Sequence, residues 1–255
     1  MTLSSDSSKT AVQTRSAGVV VERIGGVLGP LRSFVPRPRR LGGVVYRGGR
    51  ATRAIALTFD DGPSEWTPKV LDILRENGAR GTFFVLGSAV PGREDTLRRA
   101  AREGHELGNH LDEHHDPRTL SDEELTAQLE RAGDRVAGAI GVTPTLVRPP
   151  YGRDARRVSR VARSLGLGPT VLGSIAPRDW SAQRAAPIVR HVLVAARPGA
   201  IVLLHDGALP LDGKAATPSR QPTVAAVARL VAELTSRGYA LVTVSELLGE
   251  RGLDR

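Results

Sequence analysis

From about residue 54 onward, short apolar runs alternate with longer stretches in which apolar residues recur every three or four positions. The short runs predict strands at 54–59, 81–86, 105–108, 145–147, 169–172, 200–204 and 239–244. The longer stretches predict helices at about 67–76, 91–103, 121–138, 153–165, 184–195 and 222–237. Ser121 followed three residues later by Glu124 is a capping-box signature for the third of these. Strands alternating with helices point to an α/β fold, a parallel sheet covered on its outside and either open or closed into a barrel. This part of the chain contains no internal repeat and no low-complexity tract.

The polar residues that interrupt the pattern fall at the ends of the predicted strands. The run ALTF ends in Asp60 and Asp61, HELG in Asn109 and His110, TLV in Arg148, and AIVLL in His205 and Asp206. In α/β barrels and open α/β sheets the carboxyl ends of the strands are where sites assemble, so residues distant in sequence can converge there. Two adjacent carboxylates disfavour each other's ionisation, and a cation bound by Asp61 would offset that cost and leave Asp60 free to act as a base. The plainer reading of the Asp-Asp-Gly-Pro stretch is a turn with a helix cap. It accounts for Gly62 and Pro63 but leaves the other strand ends as coincidence.

His110 and His114 are four apart, a spacing that puts two imidazoles on one side of a helical turn. With a carboxylate at a neighbouring strand end they form a His, His, Asp set with an open position, a catalytic metal arrangement. His115 competes as a ligand, although its neighbours Asp116 and Pro117 suggest that it turns away. There is no cysteine, so any metal must sit on His, Asp or Glu.

Composition narrows the picture. With 255 residues, 40% apolar and 25% charged, the chain has room for one sizeable core and a tail. Residues 1–53 carry +8 of the formal net charge of +9. The rest is nearly neutral, which argues against a working surface for nucleic acid. Only three of the 36 basic residues are Lys, an excess of Arg read as compositional habit rather than phosphate binding. The polar opening and the charges Glu22, Arg23 and Arg32 do not resemble a secretory signal, and no run reaches the roughly 18 apolar residues of a spanning helix. The expected location is therefore cytoplasmic or peripheral to a membrane rather than secreted. Residues 17–34 and the following VPRPRR could lie on an anionic membrane or envelope polymer as a basic amphipathic stretch. A flexible arm is the simpler expectation, because Gly25, Gly26, Gly29 and Pro30 weaken a helix there. The expected organisation is a basic arm at 1–45 and one domain at 46–255.

Five motifs, TFDDGP (58–63), GNHLDEH (108–114), RPPYG (148–152), RDW (178–180) and IVLLHD (201–206), stand in an order and spacing that resemble the polysaccharide deacetylase family, the NodB-homology or carbohydrate esterase family 4 enzymes. The resemblance covers roughly residues 54–248. It implies a distorted (β/α) barrel of the NodB-homology type and a metal-dependent hydrolase that removes acetyl, above all N-acetyl, from an acetylated amino sugar in a glycan or a small acetylated glycoside. By the same resemblance Asp61, His110 and His114 are the metal ligands, with zinc the expected ion and cobalt or manganese as alternatives. Asp60 is the general base acting on a water activated by the metal, held by Arg148. The backbone N–H of Tyr151 stabilises the oxyanion, His205 is the general acid oriented by Asp179, and Trp180 and Leu203 line the groove around the acetyl methyl. Nucleophile, oxyanion stabilisation and leaving-group proton are the three needs of amide hydrolysis.

The chain departs from the family pattern in two places. Leu111 stands where the family usually has Ser or Thr after the first metal His, removing a hydrogen bond that supports the metal loop. Ala176 stands where an Asp often precedes the DW aspartate, a change expected to alter the groove. An aromatic content of 4% leaves few sugar-stacking candidates beyond Trp66, Tyr151 and Trp180, favouring a short glycan or small glycoside over a crystalline polymer. Two competing readings remain open: a catalytically weak glycan-binding or scaffold protein of the same fold, and a two-His-one-carboxylate iron oxygenase. The second gives no role to Asp60, Arg148 or His205.

Overall fold

The computed structural model describes residues 39–208, apart from 42 and 52, and residues 219–249. The arm at 1–38, with the amphipathic stretch expected at 17–34, lies outside the described residues.

The strands are β1 (Arg39–Leu41), β2 (Val44–Arg47), β3 (Ala54–Asp60), β4 (Gly81–Val85), β5 (Glu106–Asn109), β6 (Thr170–Val171), β7 (Ile201–His205) and β8 (Ala240–Leu241). The helices are α1 (Thr67–Glu76), α2 (Glu94–Arg102), α3 (Asp122–Ile140), α4 (Ala155–Ser164), α5 (Ala185–Ala195), α6 (Gln221–Ser236) and α7 (Val244–Leu248).

The sheet closes on itself. Parallel pairing runs β5, β4, β3, β7. Single parallel bridges continue from Asn109 to Val147 and from Val147 to Thr170, and β6 pairs in parallel with β2. An antiparallel bridge from Arg47 to Ala200 completes the circuit. The result is the expected (β/α) barrel, distorted because three of its seams are single bridges rather than full ladders. Val147 therefore makes contact through bridges where a strand was expected at 145–147. Pro149 and Pro150 follow after Arg148, and neither can donate to a ladder.

Alternation along β3 sorts its residues between two environments. Ile55, Leu57 and Phe59 belong to the cluster that packs the sheet against Val70, Leu71 and Leu74 of α1 and Val227 and Leu230 of α6. Full burial of one such side chain is worth about 1.5–3 kcal/mol. Ala54 and Ala56 belong to the second cluster, with Val45, Phe84, Val171 and Ile201. The same face continues into Thr58 and Asp60, which are buried although polar. On β3, this places the hydrogen-bonding side chains at the carboxyl end of the strand.

Two other differences have local causes. The strand expected at 239–244 is cut to Ala240–Leu241, because Thr243 and Glu246 form a reciprocal capping box that starts α7. Val244 and Leu247 of that helix then pack on the Ala54 end of β3, opposite the polar strand ends. The short strand β2 spans the expected boundary at residue 46 and gives Val45 to the inner cluster. The capping box at Ser121 and Glu124 forms as the sequence predicts. Among the described residues, no helix is long and apolar enough to cross a membrane.

Candidate metal centre and its flanking pairs

β3 delivers Asp60 and then turns. Asp61 takes a left-handed backbone, φ 72, so successive carboxylates leave the strand in different directions. The turn is held from β7: the N–H groups of Asp206 and Gly207 both donate to the Asp60 carbonyl, and a Cβ at Gly207 would stand 2.0 Å from the Asp61 carbonyl oxygen. Only glycine permits that approach. Thr67 donates to the buried Asp206 carboxylate, and Ser64 donates to the Asp206 carbonyl. Burial pushes the Asp206 carboxyl up to about 7.

Asp61 Oδ1 lies 3.4 Å from His110 Nε2 and 3.4 Å from His114 Nε2. One donor atom from each of the three residues falls within 4.8 Å of the others. Adjacent ligands of a tetrahedral ion with bonds of about 2.0–2.1 Å stand about 3.3 Å apart, so these separations suit a small divalent cation. Asp61 Oδ1 is buried without a hydrogen-bond partner among the described residues, a costly state that a bound cation removes. The ring nitrogens are set correctly for the purpose. His110 Nδ1 lies 2.7 Å from the Arg148 carbonyl, which can only accept, so Nδ1 carries a proton and Nε2 is the nitrogen turned toward Asp61 and free to ligate. Burial, reinforced by the neighbouring His110 charge, lowers His114 to about 4, keeping it neutral and able to ligate near pH 7. Burial alone would raise Asp61, but contact with His110 and the charge of His205 bring it to about 2. His115 is half-exposed, and its Nδ1 faces Gln128 and Glu113 rather than this group.

On one flank, Asp60 is paired with Arg148. Arg148 Nη1 donates to Asp60 Oδ1 at 2.7 Å and to Thr58 Oγ1 at 2.7 Å, and Nε donates to the Val171 carbonyl. The guanidinium also lies 4.0 Å over the Phe84 ring. Both charged side chains are almost wholly buried, 1% and 4% exposed, so each depends on the other.

On the other flank, His205 is paired with Asp179. His205 Nδ1 lies 2.8 Å from Asp179 Oδ1, and the His205 backbone N–H donates to Oδ2 at 2.9 Å. Burial would lower the imidazole, but the hydrogen bond and charge of Asp179, with Asp61 and Asp60 behind it, raise it to about 9. Asp60 and His205 are register partners on β3 and β7, which brings the two pairs to the same end of the barrel.

The remaining expected residues frame this centre. Tyr151 has a left-handed backbone, φ 59, is 60% exposed, and packs its ring edge-to-face on His114 at 4.4 Å. Trp180 is 43% exposed in the turn that carries Asp179. Leu203 is half-buried two residues before His205 on β7.

Sequence reading missed Thr223 and Arg220. Thr223 Oγ1 donates to Asp179 Oδ2 at 2.9 Å, and buried Arg220 donates to the carbonyls of Gly207 and Trp180. Both belong to the start of α6, an amphipathic helix whose pattern gives no hint that its first turn reaches the site.

A family profile described as polysaccharide deacetylase matches residues 47–169. A peptidoglycan-N-acetylglucosamine deacetylase of Bacillus cereus is 41% identical over 199 residues, covering 77% of this chain and 88% of that protein. The peptidoglycan-N-acetylglucosamine deacetylase PgdA of Listeria monocytogenes is 36% identical over 203 residues. There the match covers 79% of this chain but only 40% of the relative's length. The crystal structure of the Bc1960 peptidoglycan N-acetylglucosamine deacetylase superposes with a TM-score of 0.73 at 28% identity, over 81% of this chain and 93% of that one.

Proposed function

Because the chain belongs to the polysaccharide deacetylase family, we propose that it is a metal-dependent hydrolase that removes the acetyl group from an N-acetylated amino sugar. The observation that carries this reading is the Asp61, His110 and His114 donor set at the same strand ends as the buried Asp60–Arg148 pair and the Asp179–His205 pair. The names of the relatives support an N-acetylglucosamine unit of a glycan as the acceptor. The exposed rings of Tyr151 and Trp180 offer the sugar two apolar surfaces.

Asp61, His110 and His114 would hold the cation, with zinc the ion we propose from the mixed nitrogen and oxygen donors. When bound, such a cation makes water a competent nucleophile near neutral pH and polarises the acetyl carbonyl. Asp60 accepts the proton of the attacking water, and Arg148 fixes the carboxylate that does so. The Tyr151 N–H donates to the oxygen on which negative charge develops. His205, kept protonated by Asp179, donates to the departing nitrogen as the C–N bond breaks, leaving acetate and a free amine. Arg220 and Thr223 hold the loop and carboxylate behind that acid. Residues 46–255 would carry the whole activity.

The test is acetate release from N-acetylglucosamine oligomers, peptidoglycan fragments, acetylated xylan and N-acetylated glycosides, after chelation and zinc repletion. Asp60→Asn is expected to cut turnover by about 10²–10⁴-fold on whichever substrate responds. An Asp60→Asn protein with wild-type turnover would reject the assignment of the base.

A further inference from the structure

The two histidines of the donor set are supported unequally. His110 is fixed by its own bonds, with Nδ1 on the Arg148 carbonyl and its N–H on the Val85 carbonyl at 2.9 Å. His114 Nδ1 is buried without a hydrogen-bond partner among the described residues; its Nε2 faces Asp61 Oδ1, and its ring packs edge-to-face on Tyr151 and tilted against His110. With no hydrogen bond on Nδ1 to fix the ring, the position of His114 draws on the three residues that join it to His110.

Those three residues are fastened to α3. Leu111 is fully buried and clusters with Leu125 and Leu129 of α3, Val147, and Val158, Val161 and Ala162 of α4. Asp112 pairs with Arg131 and Arg135, and the Glu113 N–H donates to Gln128 Oε1 at 2.8 Å. Leu111 does this in a left-handed backbone, φ 68, a region that bulky side chains rarely occupy. Such strain persists only where surroundings over-determine it. Here the apolar cluster holds the side chain, Asn109 Oδ1 accepts from the Leu111 N–H at 2.9 Å, and the Leu111 carbonyl accepts from Gly87.

We propose that Leu111 is a positioning residue for the metal centre, an apolar anchor that pins the turn between the two histidines to α3 and α4 and so sets His114 before any cation arrives. Asp112 and Gln128 complete the same attachment. This inference rests on the reading of Asp61, His110 and His114 as ligands, and its test separates the two.

Zinc binding to chelated protein is measured by calorimetry in wild type, His114→Ala, Leu111→Met and Leu111→Gly. Wild-type binding lost in His114→Ala establishes the ligand set, and absence of that pattern overturns it and the anchor together. Given that pattern, Leu111→Met keeps the anchor and is expected to bind within about 3-fold of wild type. Leu111→Gly relieves the backbone but removes the anchor, and is expected to lose about 10–100-fold, the range for supporting groups around metal ligands. Wild-type affinity in Leu111→Gly would overturn the anchor alone. Should that variant not fold, hydrogen exchange on metal-free wild type decides. The Gly87 and Ser88 amides, bonded to the Leu111 and Asp112 carbonyls, are expected to be protected, and fast exchange at both would overturn the proposal.

Discussion

At the scale of single residues, the site is organised by buried charges that are each made tolerable by one partner. Arg148 has no acidic partner but Asp60 among the described residues, so Arg148→Met leaves a buried carboxylate without its counter-ion. Such a change is expected to cost about 3–5 kcal/mol in urea unfolding, whereas replacing both members by apolar residues is expected to cost less. The Asp179–His205 pair makes a prediction in pH. A proton donor works only while protonated, and His205 is raised to about 9, so the alkaline limb of kcat/KM should fall as pH rises through that value. Asp179→Asn removes the charge that raises it, and the limb should move down toward the ordinary value of about 6.5. A limb that stays in place would detach His205 from the reaction. Gly207 is constrained by space alone. Gly207→Ala is expected to displace the Asp61 turn and weaken zinc binding by about 10-fold or more, read by calorimetry.

At the scale of elements, the periodicity in the sequence is enough to locate α1 and, within a few residues, α2 to α6, because each turns apolar residues to the core at helical spacing. The strand ends that carry Asp60, His110, Arg148 and His205 are equally readable, since a polar residue closing an apolar run is visible without coordinates. Some short segments were not legible in full. Val44–Arg47 is too brief to show a period, Val147 depends on single bridges to distant residues, and α7 hides in a β-branched run whose capping box decides its state. Thr223 and Arg220 escaped because their role comes from where α6 begins in space, not from its pattern. The elements also predict how stability depends on pH. His105, just before β5, is buried, accepts the Gly81 N–H on Nδ1 and packs edge-on to Phe83. Burial lowers it to about 4, so between about 6.5 and 4 the unfolded chain binds a proton that the folded one refuses. Stability from this residue is complete above 6.5 and is lost as pH falls through that window. The loss is expected to reach about 2–3 kcal/mol in wild type and to be smaller in His105→Gln, compared by urea unfolding at pH 7.5 and about 4.5.

At the scale of the whole molecule, charge and chemistry are kept apart. Residues 1–53 hold nearly all of the net positive charge, while the barrel residues that follow are close to neutral. A neutral acetylated oligosaccharide should therefore gain little from long-range attraction, and its kcat/KM is expected to change less than about 2-fold between about 0.05 and 0.5 M salt. A steep fall would point instead to an anionic acceptor steered by the field. In the proposed function, one cation held by Asp61, His110 and His114 makes this barrel a deacetylase. This reading is tested most directly by titrating zinc into chelated protein while following acetate release from an N-acetylglucosamine oligomer. The rate is expected to rise in proportion to added zinc, to level at one equivalent, and to stay flat in His114→Ala. Acetate release that is full before zinc is added, or that rises equally in His114→Ala, would contradict it.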